Sequence, residues 1–541
     1  MRLISYTNFD LAEFTEGISL KVQRNFVAEI LKYIEMDTTK VFALAGLRRT
    51  GKTYGMLQTI KILSEKFGYD KIAYIECSEK DLMLDLFAEM ERLRKSGVKY
   101  FFIDEISSID SYYDDCARLS NHFCRFGKVI IAGTQSAAIA MSSYTNLFDR
   151  IILCNTTQML YPEFVSITGK TQIADYLEYS GLLLLGESGY GRELGIPYYN
   201  YINSGITLRK YIDAAIISNI VDVIFVSKDP ILETLLALGL DVKQAVTAMV
   251  LSIVVSINHT ASNVPASLNI PDIGVYSNDM IDAKNVYEHL LEYFGVSKNC
   301  LMNMPDKVRY NFATTVVEYM CNLGLVNSRK YLIASVEEDT IKSSQESKIN
   351  ILYPLALRYC FTKLILDIQR SLGLDTDKVF ADNTIRGYIF EDMLSYHIGL
   401  QVGVKAVLKI KFKDRNRAIG EFDIVAINCD NTVSLYEVKY DTKAIPAYVR
   451  HLEDDSKIRF IESSFGEVRE RIVLYNGKNE VKDSGVIYRN ASEFLTEMQY
   501  DESYHYTCFD NITIDAQREF LNAQSELFSN SFGSTDPLVR W

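Results

Sequence analysis

Cysteine pairs of the metal-binding kind are missing from this 541-residue sequence. Its nine cysteines are scattered and none lies in a Cys-x-x-Cys pair, so neither a zinc site nor a disulfide framework is indicated. Free thiols in this arrangement are typical of the reducing cytoplasm. Tryptophan is also scarce, since Trp541 is the single example, and this scarcity identifies no function.

Long hydrophobic runs are missing as well. The most apolar stretch, Ala245 to Ile257, spans about thirteen residues, whereas a bilayer span needs roughly 20. The segment Met1 to Asp10 has no apolar core of signal-peptide length. We therefore expect a cytoplasmic protein with no membrane partner, in which residues 245–257 form a buried helix.

Basic residues are outnumbered by acidic ones, which gives a formal net charge of -13. This balance argues against a protein whose whole surface attracts nucleic acid, although it leaves room for a local basic groove. No internal repeat or low-complexity linker is present. The length predicts three or four domains.

Short apolar runs alternate with helical segments in the first third of the chain. A helix predicted over Ile18 to Glu35 precedes them. The runs are Val41 to Ala45, Ile72 to Ile75, Tyr100 to Ile103, Val129 to Ala132 and Ile151 to Leu153. Because crossover helices fit between them, the pattern predicts a doubly wound parallel sheet.

A glycine-rich loop follows the first run. Gly46-Leu-Arg-Arg-Thr-Gly-Lys-Thr53, here called the phosphate loop, has the Gly-x4-Gly-Lys-[Ser/Thr] spacing and precedes a helical stretch. Its backbone N–H groups are expected to face phosphates, Lys52 to reach the β- and γ-phosphates, and Thr53 to ligate Mg²⁺. The predicted ATP ligands are Gly46, Arg48, Arg49, Thr50, Gly51, Lys52 and Thr53. The two arginines either assist catalysis or only neutralise phosphate.

Two adjacent acids end the run Tyr100 to Ile103. Asp104 is expected to hold Mg²⁺ through water, and Glu105 to orient or deprotonate the attacking water. Together with the phosphate loop they predict a P-loop ATPase. An acid directly after Asp104 is typical of P-loop proteins with an extra strand between the two motif strands, and Val129 to Ala132 is the candidate for it.

Three further residues are assigned from their positions beside strands. Thr134 or Gln135 is a candidate sensor of the γ-phosphate, with an ordinary polar turn as the alternative. Arg150 is a candidate arginine finger that acts in its own or in a neighbouring subunit, with a solvated arginine as the alternative. Action in a neighbouring subunit implies a homo-oligomer.

A second constellation lies near the C-terminus. Glu421-Phe-Asp423 and Glu437-Val-Lys439 fall on two predicted strands joined by a short turn, and residues two apart share a face. This spacing is typical of a PD-(D/E)xK nuclease core, in which Asp423 and Glu437 hold a metal and Lys439 either positions the hydroxide or stabilises charge. Glu391, on an upstream helix, is a further candidate ligand.

A basic pattern precedes these strands. Its members alternate along one predicted strand and are Lys409, Lys411, Lys413, Arg415 and Arg417. Such a face could follow a DNA backbone, whereas a merely solvated face is the alternative.

Taken together, these residues resemble a widespread prokaryotic family of AAA-type ATPases with a C-terminal restriction-endonuclease-like domain of unknown function. Roughly residues 20–165 and 310–475 carry the resemblance. The matching segments are the phosphate loop, Asp104-Glu105, Arg150, Tyr161-Pro-Glu163-Phe164, Gly387 to Glu391, Glu421 to Asp423 and Glu437 to Lys439. Two departures are Gly133-Thr134, where the family usually has Gly-Ser, and a longer region over about 166–310.

Five segments are expected from these patterns. Residues 1–165 form the P-loop ATPase domain and 166–310 a helical lid. Residues 311–380 form a winged-helix-like region, because a helix, a glycine turn and an entering strand follow one another there. Residues 381–500 form the small α/β nuclease-like domain, and 501–541 a tail without a readable motif.

Three functions are compatible with the sequence. The first is an ATPase, with ATP and Mg²⁺ as cofactors, coupled to a nuclease-like domain that acts on DNA. The second is a non-catalytic ATP-dependent switch whose nuclease-like domain only mediates binding. The third is a metabolic P-loop kinase, which the Asp104-Glu105 pair and the lack of a recognisable acceptor site disfavour.

Overall fold

The computed structural model describes residues 3–179, 205–262, 283–301, 304–337, 340–352, 354–373, 382–414 and 417–501. The predicted C-terminal tail, apart from Asp501, lies outside the described residues, as do Arg415 and the side chain of Arg417.

The first sheet is built from six short strands. They are β1 (Ile4–Thr7), β2 (Val41–Ala45), β3 (Ile72–Glu76), β4 (Tyr100–Asp104), β5 (Lys128–Ala132) and β6 (Ile151–Asn155). Their order is β1-β3-β4-β5-β2-β6, and all neighbours are parallel except β1, which runs antiparallel to β3. The predicted parallel sheet is confirmed, and β5 lies between the two motif strands as expected. Strand β1 was not predicted.

Helices cover both faces of this sheet. They are α1 (Asn8–Thr15), α2 (Asn25–Glu35), α3 (Lys52–Phe67), α4 (Met83–Lys95), α5 (Tyr112–Asp115), α6 (Ala117–Asn121) and α7 (Ser136–Tyr144). One apolar core lies on each face. Because the central strands are covered on both sides, they read as continuous apolar runs; all five residues of β2 are buried.

Helix α2 begins seven residues later than the sequence predicts. The segment from Ile18 to Arg24 is not helical, because side chains of α3 bind its carbonyl groups. The Gln58 amide donates to Ser19 and Val22, each at 2.7 Å. The N–H of Asn25, at the start of α2, donates to Glu163 at 2.8 Å, and a carboxylate is favourable at that helix end.

The middle of the chain is helical. Its described helices are α8 (Tyr161–Thr168), α9 (Ile173–Tyr179), α10 (Gly205–Ile212), α11 (Ser218–Val226), α12 (Pro230–Ala237), α13 (Val242–Ser262), α14 (Ala283–Phe294), α15 (Asp306–Asn322) and α16 (Leu355–Ser371). A π-helical turn, Asp213–Ile217, joins α10 to α11. Helices α10 to α16 share one apolar core with the start of α7. The predicted buried helix is α13, whose apolar residues from Ala245 to Val254 are buried.

Within the described ranges, no single helix is long and apolar enough to cross a membrane. The helices Pro230–Ala237 and Val242–Val254 together have the length and apolar composition of a membrane span, but the chain bends by 109° between them.

A second, eight-stranded sheet occupies the C-terminal part. Its strands are β7 (Val326–Glu337), β8 (Thr340–Leu352), β9 (Val404–Asp414), β10 (Arg417–Asn428), β11 (Val433–Lys439), β12 (Val468–Tyr475), β13 (Glu480–Val481) and β14 (Ile487–Asn490). The order is β13-β14-β12-β11-β10-β9-β7-β8. Three helices accompany it, α17 (Asp382–Gly399), α18 (Asp455–Phe465) and α19 (Ala491–Glu497).

The predicted winged-helix-like module at 311–380 needs correction. The helix, the glycine turn at Gly324 and the entering strand are present, but β7 pairs in parallel with β9 of the second sheet. Helix α15 meanwhile packs in the middle core, and α16 contributes residues both to that core and to the core beside the second sheet. A glycine with positive φ ends many helices, so the local pattern could not distinguish a wing from the edge of a larger sheet.

The chain on both sides of the predicted boundary at residue 165 packs into one apolar core. From Met159 onward the chain packs into the core between α17 and the second sheet, where Tyr161, Phe164 and Tyr176 are buried. Helices α8 and α9 therefore belong to the C-terminal core rather than to a lid, and they attach the first sheet to the second.

His397 is a buried histidine on α17 that contacts the start of α8. The ring of His397 accepts a hydrogen bond at Nε2 from the Tyr161 N–H at 3.1 Å, and its Nδ1 lies 2.8 Å from the carbonyl of Met393. This pairing requires a neutral ring with the proton on Nδ1. Burial lowers the pKa of His397 from its ordinary 6.5 to about 4, with the Met393 carbonyl opposing that shift.

We expect the folded chain to lose stability as the pH falls from 6.5 towards 4. The unfolded chain binds a proton at this histidine in that interval and the folded chain does not, so stability falls with pH by up to about 3 kcal/mol. Urea unfolding at pH 7 and pH 5 measures the loss. It should shrink in His397→Gln but persist in His122→Gln, because the His122 side chain is 44% exposed. Equal pH dependence in all three chains would contradict the assignment.

Candidate functional site

The phosphate loop connects the end of β2 to α3. Gly46 and Gly51 have positive φ values of 145° and 84°, and Arg49 has one of 69°. A Cβ at Gly46 would lie 2.5 Å from the Thr156 hydroxyl and 2.9 Å from the Thr157 nitrogen. Only glycine fits at Gly46, because both the backbone angle and the close approach exclude a side chain.

Lys52 folds back onto its own loop. Its ammonium group donates to the carbonyls of Gly46 at 2.8 Å and Leu47 at 2.9 Å. Burial lowers the pKa of Lys52 from 10.5 to about 8, while Glu105 and Asp104 act in the opposite direction. The cation is thus held beside the loop and near both acids, where a triphosphate would give it anionic partners.

The metal-binding candidates converge at the ends of β2 and β4. The Thr53 hydroxyl donates to Asp104 Oδ2 at 2.6 Å. The same oxygen accepts a hydrogen bond from the Tyr74 hydroxyl at 3.0 Å. Tyr74 was not predicted from the sequence, since it lies inside a buried strand without a motif. It orients the Asp104 carboxylate, and burial with the Asp104 charge raises the pKa of its own hydroxyl.

Glu105 follows with a strained backbone. Its φ of 53° is positive, which is uncommon for a residue other than glycine. Its carboxylate accepts two hydrogen bonds from Thr134, one from the N–H and one from the hydroxyl, each at 2.9 Å. The turn after β5 therefore sets the orientation of this acid, which places Thr134 beside the site as a partner of Glu105.

The remaining residues of the phosphate loop differ in which groups they leave available for a phosphate. The hydroxyl of Thr50 is buried against Leu47 and Thr156, so only its backbone remains for a phosphate. Arg48 is exposed, and its carbonyl accepts a hydrogen bond from the Tyr211 hydroxyl at 3.2 Å. Arg49 is half-buried.

Arg150 lies at one end of the first sheet, and the phosphate loop of the same chain lies at the other end. Arg150 precedes β6, whose first residue pairs with Val41 at the start of β2, whereas the loop follows the last residue of β2. Four residues of strand separate the two ends, or about 13 Å. This distance disfavours contact with the phosphate loop of the same chain, and the role of Arg150 in either subunit stays a prediction.

A buried ion pair contacts the backbone of the phosphate loop. Arg24 lies 2.6 Å from Glu163, and their side chains are 3% and 0% exposed. Arg24 also donates to the carbonyls of Thr50, Thr156 and, at 3.2 Å, Gln158. Sequence reasoning missed Arg24, because a single arginine before a helix carries no spacing signal.

Helix α11 covers the turn after β5. Asn219 donates to the carbonyl of Thr134 and accepts from the Ala137 N–H at 3.4 Å. Gln135 donates to Asp222 at 3.1 Å. The middle helices therefore contact the turn that holds Glu105, and the predicted sensor Gln135 points to this helix.

The C-terminal constellation is brought together on adjacent strands. Ile424 pairs with Tyr436, and Asp423 and Glu437 are the residues next to this pair on the two strands. Asp423 accepts from the Val438 N–H at 2.8 Å, and the Lys439 ammonium lies 3.4 Å from Asp423 and 2.6 Å from Glu437. Burial raises the pKa of Glu437, with the Asp423 charge adding to it.

The basic strand does not form a solvated face where its side chains are described. Lys409 contacts Glu391, Glu421 and Asp423, and Lys411 lies 3.7 Å from Glu421. Lys413 is buried. The prediction of five cations facing one backbone therefore needs correction, because two of them neutralise acids and Arg415 and the Arg417 side chain lie outside the described residues.

The four acids Glu391, Glu421, Asp423 and Glu437 are here called the carboxylate cluster. One feature suits a divalent metal: Glu437 Oε2 is buried with no hydrogen-bond partner in the described part of the chain. Another does not: lysine ammonium groups already contact all four acids. Across the described residues, no three His, Cys, Asp or Glu side chains are arranged to hold a metal ion.

The parallel sheet, the glycine loop after β2 and the acid pair after β4 have the arrangement of a P-loop domain. In agreement, the sequence model of a family described as an AAA domain matches residues 38–165. No curated protein matches the chain. Among solved structures, the Walker-type ATPase PABY2304 of Pyrococcus abyssi is similar at 10% identity, with 64% of this chain and 99% of that chain covered and a TM-score of 0.27.

Proposed function

We propose that this protein binds ATP with Mg²⁺ and hydrolyses the terminal phosphate. The observation that carries the proposal is the contact between Thr53 and Asp104 at 2.6 Å, with Glu105 one residue further along. It brings the hydroxyl that ends the phosphate loop and the acid that ends β4 to one point, where a magnesium ion would need both.

Each residue then has a role set by its position. Thr53 and Asp104 would hold Mg²⁺, which supplies charge neutralisation on the β- and γ-phosphates. Lys52 would exchange its two carbonyl contacts for phosphate oxygens. Glu105 would orient the attacking water and take up its proton, with Thr134 holding Oε2 of the carboxylate.

Phosphate release tests this proposal and separates it from a kinase. The purified chain should release inorganic phosphate from ATP in the presence of Mg²⁺ when no small-molecule acceptor is present. If phosphate appears only when an acceptor is supplied and is found on that acceptor, the kinase function replaces the proposed one.

For the C-terminal domain we propose a nuclease-like function on DNA, supported by the pairing of Asp423 with Glu437 and Lys439. An acid opposite Glu-x-Lys is the arrangement that holds a metal against a phosphodiester. The buried, unpartnered oxygen of Glu437 supports it further.

Lys439→Ala should abolish metal-dependent cleavage while ATP turnover is retained. The reason is that Lys439 is the ammonium group in contact with both Asp423 and Glu437. Cleavage of single- and double-stranded DNA with Mg²⁺ or Mn²⁺ is the measurement, and Lys405→Ala, on an exposed position of β9, is the control. A wild-type chain that leaves every DNA form intact while it hydrolyses ATP excludes an active nuclease.

A non-catalytic switch is the second candidate, and a chain of hydrogen bonds favours it. The Thr157 hydroxyl accepts from the Leu47 N–H of the phosphate loop at 3.1 Å and donates to the Leu323 carbonyl at 2.8 Å. Gln158 donates to the Gly324 carbonyl at 3.1 Å, and Gly324 leads into β7 of the second sheet. Loop movement on ATP binding would therefore reach the C-terminal sheet. ATP-dependent protection of β7 in hydrogen exchange, without DNA cleavage, would favour this function.

A further inference from the structure

The turn after β5, residues 133–136, contacts both halves of the proposed ATP site. Thr134 donates its N–H and its hydroxyl to one oxygen of Glu105, Oε2. The Ser136 hydroxyl donates to the carbonyl of Gly46, the first residue of the phosphate loop, at 2.6 Å. A shift of this turn would therefore move the acid assigned to the attacking water relative to the loop assigned to the phosphates.

Helix α11 holds this turn from outside the sheet. The Asn219 amide donates to the carbonyl of Thr134, and its oxygen accepts from the N–H of Ala137 at 3.4 Å. Asp222, one helical turn further along, accepts from the Gln135 amide at 3.1 Å. Because Asn219 is only 2% exposed, water cannot readily replace its bond to the Thr134 carbonyl. Asn219 thus fixes the peptide that follows Thr134, and with it the two groups that Thr134 donates to Glu105.

An irregular helical turn brings a second contact onto the same side of this helix pair. Residues eight apart in a regular α-helix are rotated by about 80° from each other. The π-helical turn Asp213–Ile217 lies between Tyr211 and Asn219 and takes up about one extra residue, which reduces that rotation to about 20°. The Tyr211 hydroxyl accordingly donates to the Arg48 carbonyl of the phosphate loop at 3.2 Å, while Asn219 reaches the turn after β5. Turns of the π type are frequent at functional sites.

We propose that Asn219 is a positioning residue for ATP hydrolysis, which holds the Thr134 peptide so that Thr134 keeps Oε2 of Glu105 in place. In the described part of the chain, the hydrogen bonds of Asn219 go to the turn, to α7 and to its own helix rather than to the phosphate loop. It therefore acts on the rate of the chemical step and not on the binding of ATP. The inference rests on the proposed ATPase function and makes the middle helices a controlling element of that same site.

Steady-state phosphate release by the full-length chain tests the proposal. Asn219→Leu keeps the branched shape of the side chain without its donor and acceptor. It should lower kcat at least about tenfold and leave the KM for ATP unchanged within about twofold. The control is Asn322→Leu, at a second buried asparagine of the middle helices, whose amide lies 3.3 Å from the sulfur of Met141. It should keep the wild-type kcat, and chemical unfolding of both variants measures any loss of stability.

A double-mutant cycle with Glu105→Gln separates positioning from a general disturbance of the fold. If Asn219 acts through Glu105, adding Asn219→Leu to Glu105→Gln should lower the residual kcat, followed with γ-labelled ATP, by no more than about twofold. A further tenfold loss in that background, or an equal loss in Asn322→Leu, overturns the proposal. Asn219→Ala replaces Asn219→Leu if the latter does not fold.

The wild-type chain separates failure of this inference from failure of the ATPase proposal. If wild type releases phosphate and Asn219→Leu does so at the same kcat, the positioning role alone is overturned. If wild type releases no phosphate from ATP, both proposals are overturned together.

Discussion

Glu105→Gln should hydrolyse ATP at least about a hundredfold more slowly than the wild-type chain while it still binds ATP. The amide cannot take a proton from the attacking water, whereas Lys52, Thr53 and Asp104 keep their contacts. Glutamine also keeps an oxygen that can accept the hydrogen bonds from Thr134, so the turn after β5 should stay in place. Steady-state phosphate release and a nucleotide-binding titration on the same sample provide the measurement.

The matched control is Glu65→Gln, an exposed position on α3 that contacts none of these groups. It should turn over ATP at the wild-type rate. A Glu105→Gln chain with wild-type turnover would show that another group activates the water, and a chain that no longer binds ATP would show that Glu105 acts in binding instead.

Arg24→Ala should destabilise the fold by about 3–5 kcal/mol and weaken ATP binding. The change leaves Glu163 buried without its cation, and an uncompensated buried charge is expensive. It also removes the donor to the carbonyl of Thr50, which lies in the phosphate loop. Chemical unfolding gives the stability change, and a titration with ATP gives the affinity of the variant at a temperature where it is folded.

Two comparisons separate the buried pair from a general loss of arginine. Arg92→Ala breaks a surface pair with Glu89 in which the arginine side chain is 54% exposed, so it should cost less than about 1 kcal/mol. Arg24→Met combined with Glu163→Gln removes both charges and should recover part of the stability lost by Arg24→Ala. If Arg24→Ala and Arg92→Ala destabilise the chain equally, Arg24 does not brace the loop as described.

The parallel sheet could be predicted because its strands are buried on both faces. Burial of this kind leaves continuous apolar runs such as Val41 to Ala45, which are legible without knowledge of the partners. The phosphate loop and the acid pair were legible for a second reason, since each keeps its chemistry within a few consecutive residues.

Contacts between residues that are far apart in the sequence produce no comparable local pattern. Tyr74 reaches Asp104 across the sheet, and Arg24 reaches Glu163 over a separation of 139 residues. Arg150 shows the converse limit, because its place before a strand could be predicted but the end of the sheet on which it lies could not. Strand order and side-chain direction determine these contacts and positions, and the local spacing of residues predicts neither of them.

The second sheet shows the same limit at the scale of domains. Helix α17 and strands β9, β10 and β11 lie where the sequence predicts a helix, a basic strand and two strands joined by a short turn. The pairing of β7 with β9 and the packing of α8 and α9 on α17 were not foreseen, since both join segments that a linear division separates. Similarly, the lysines of β9 alternate as predicted, but only the structure shows Lys409 and Lys411 turned towards acids.

The central claim is that ATP binds between Lys52 and Asp104, and calorimetry tests it most directly. Titration of ATP with Mg²⁺ into the wild-type chain should show one site per chain. That heat should be lost in Lys52→Ala and retained in Lys66→Ala, an exposed lysine on the same helix. A wild-type chain that gives no heat with ATP or GTP, or a Lys52→Ala chain that binds as wild type does, would contradict the account.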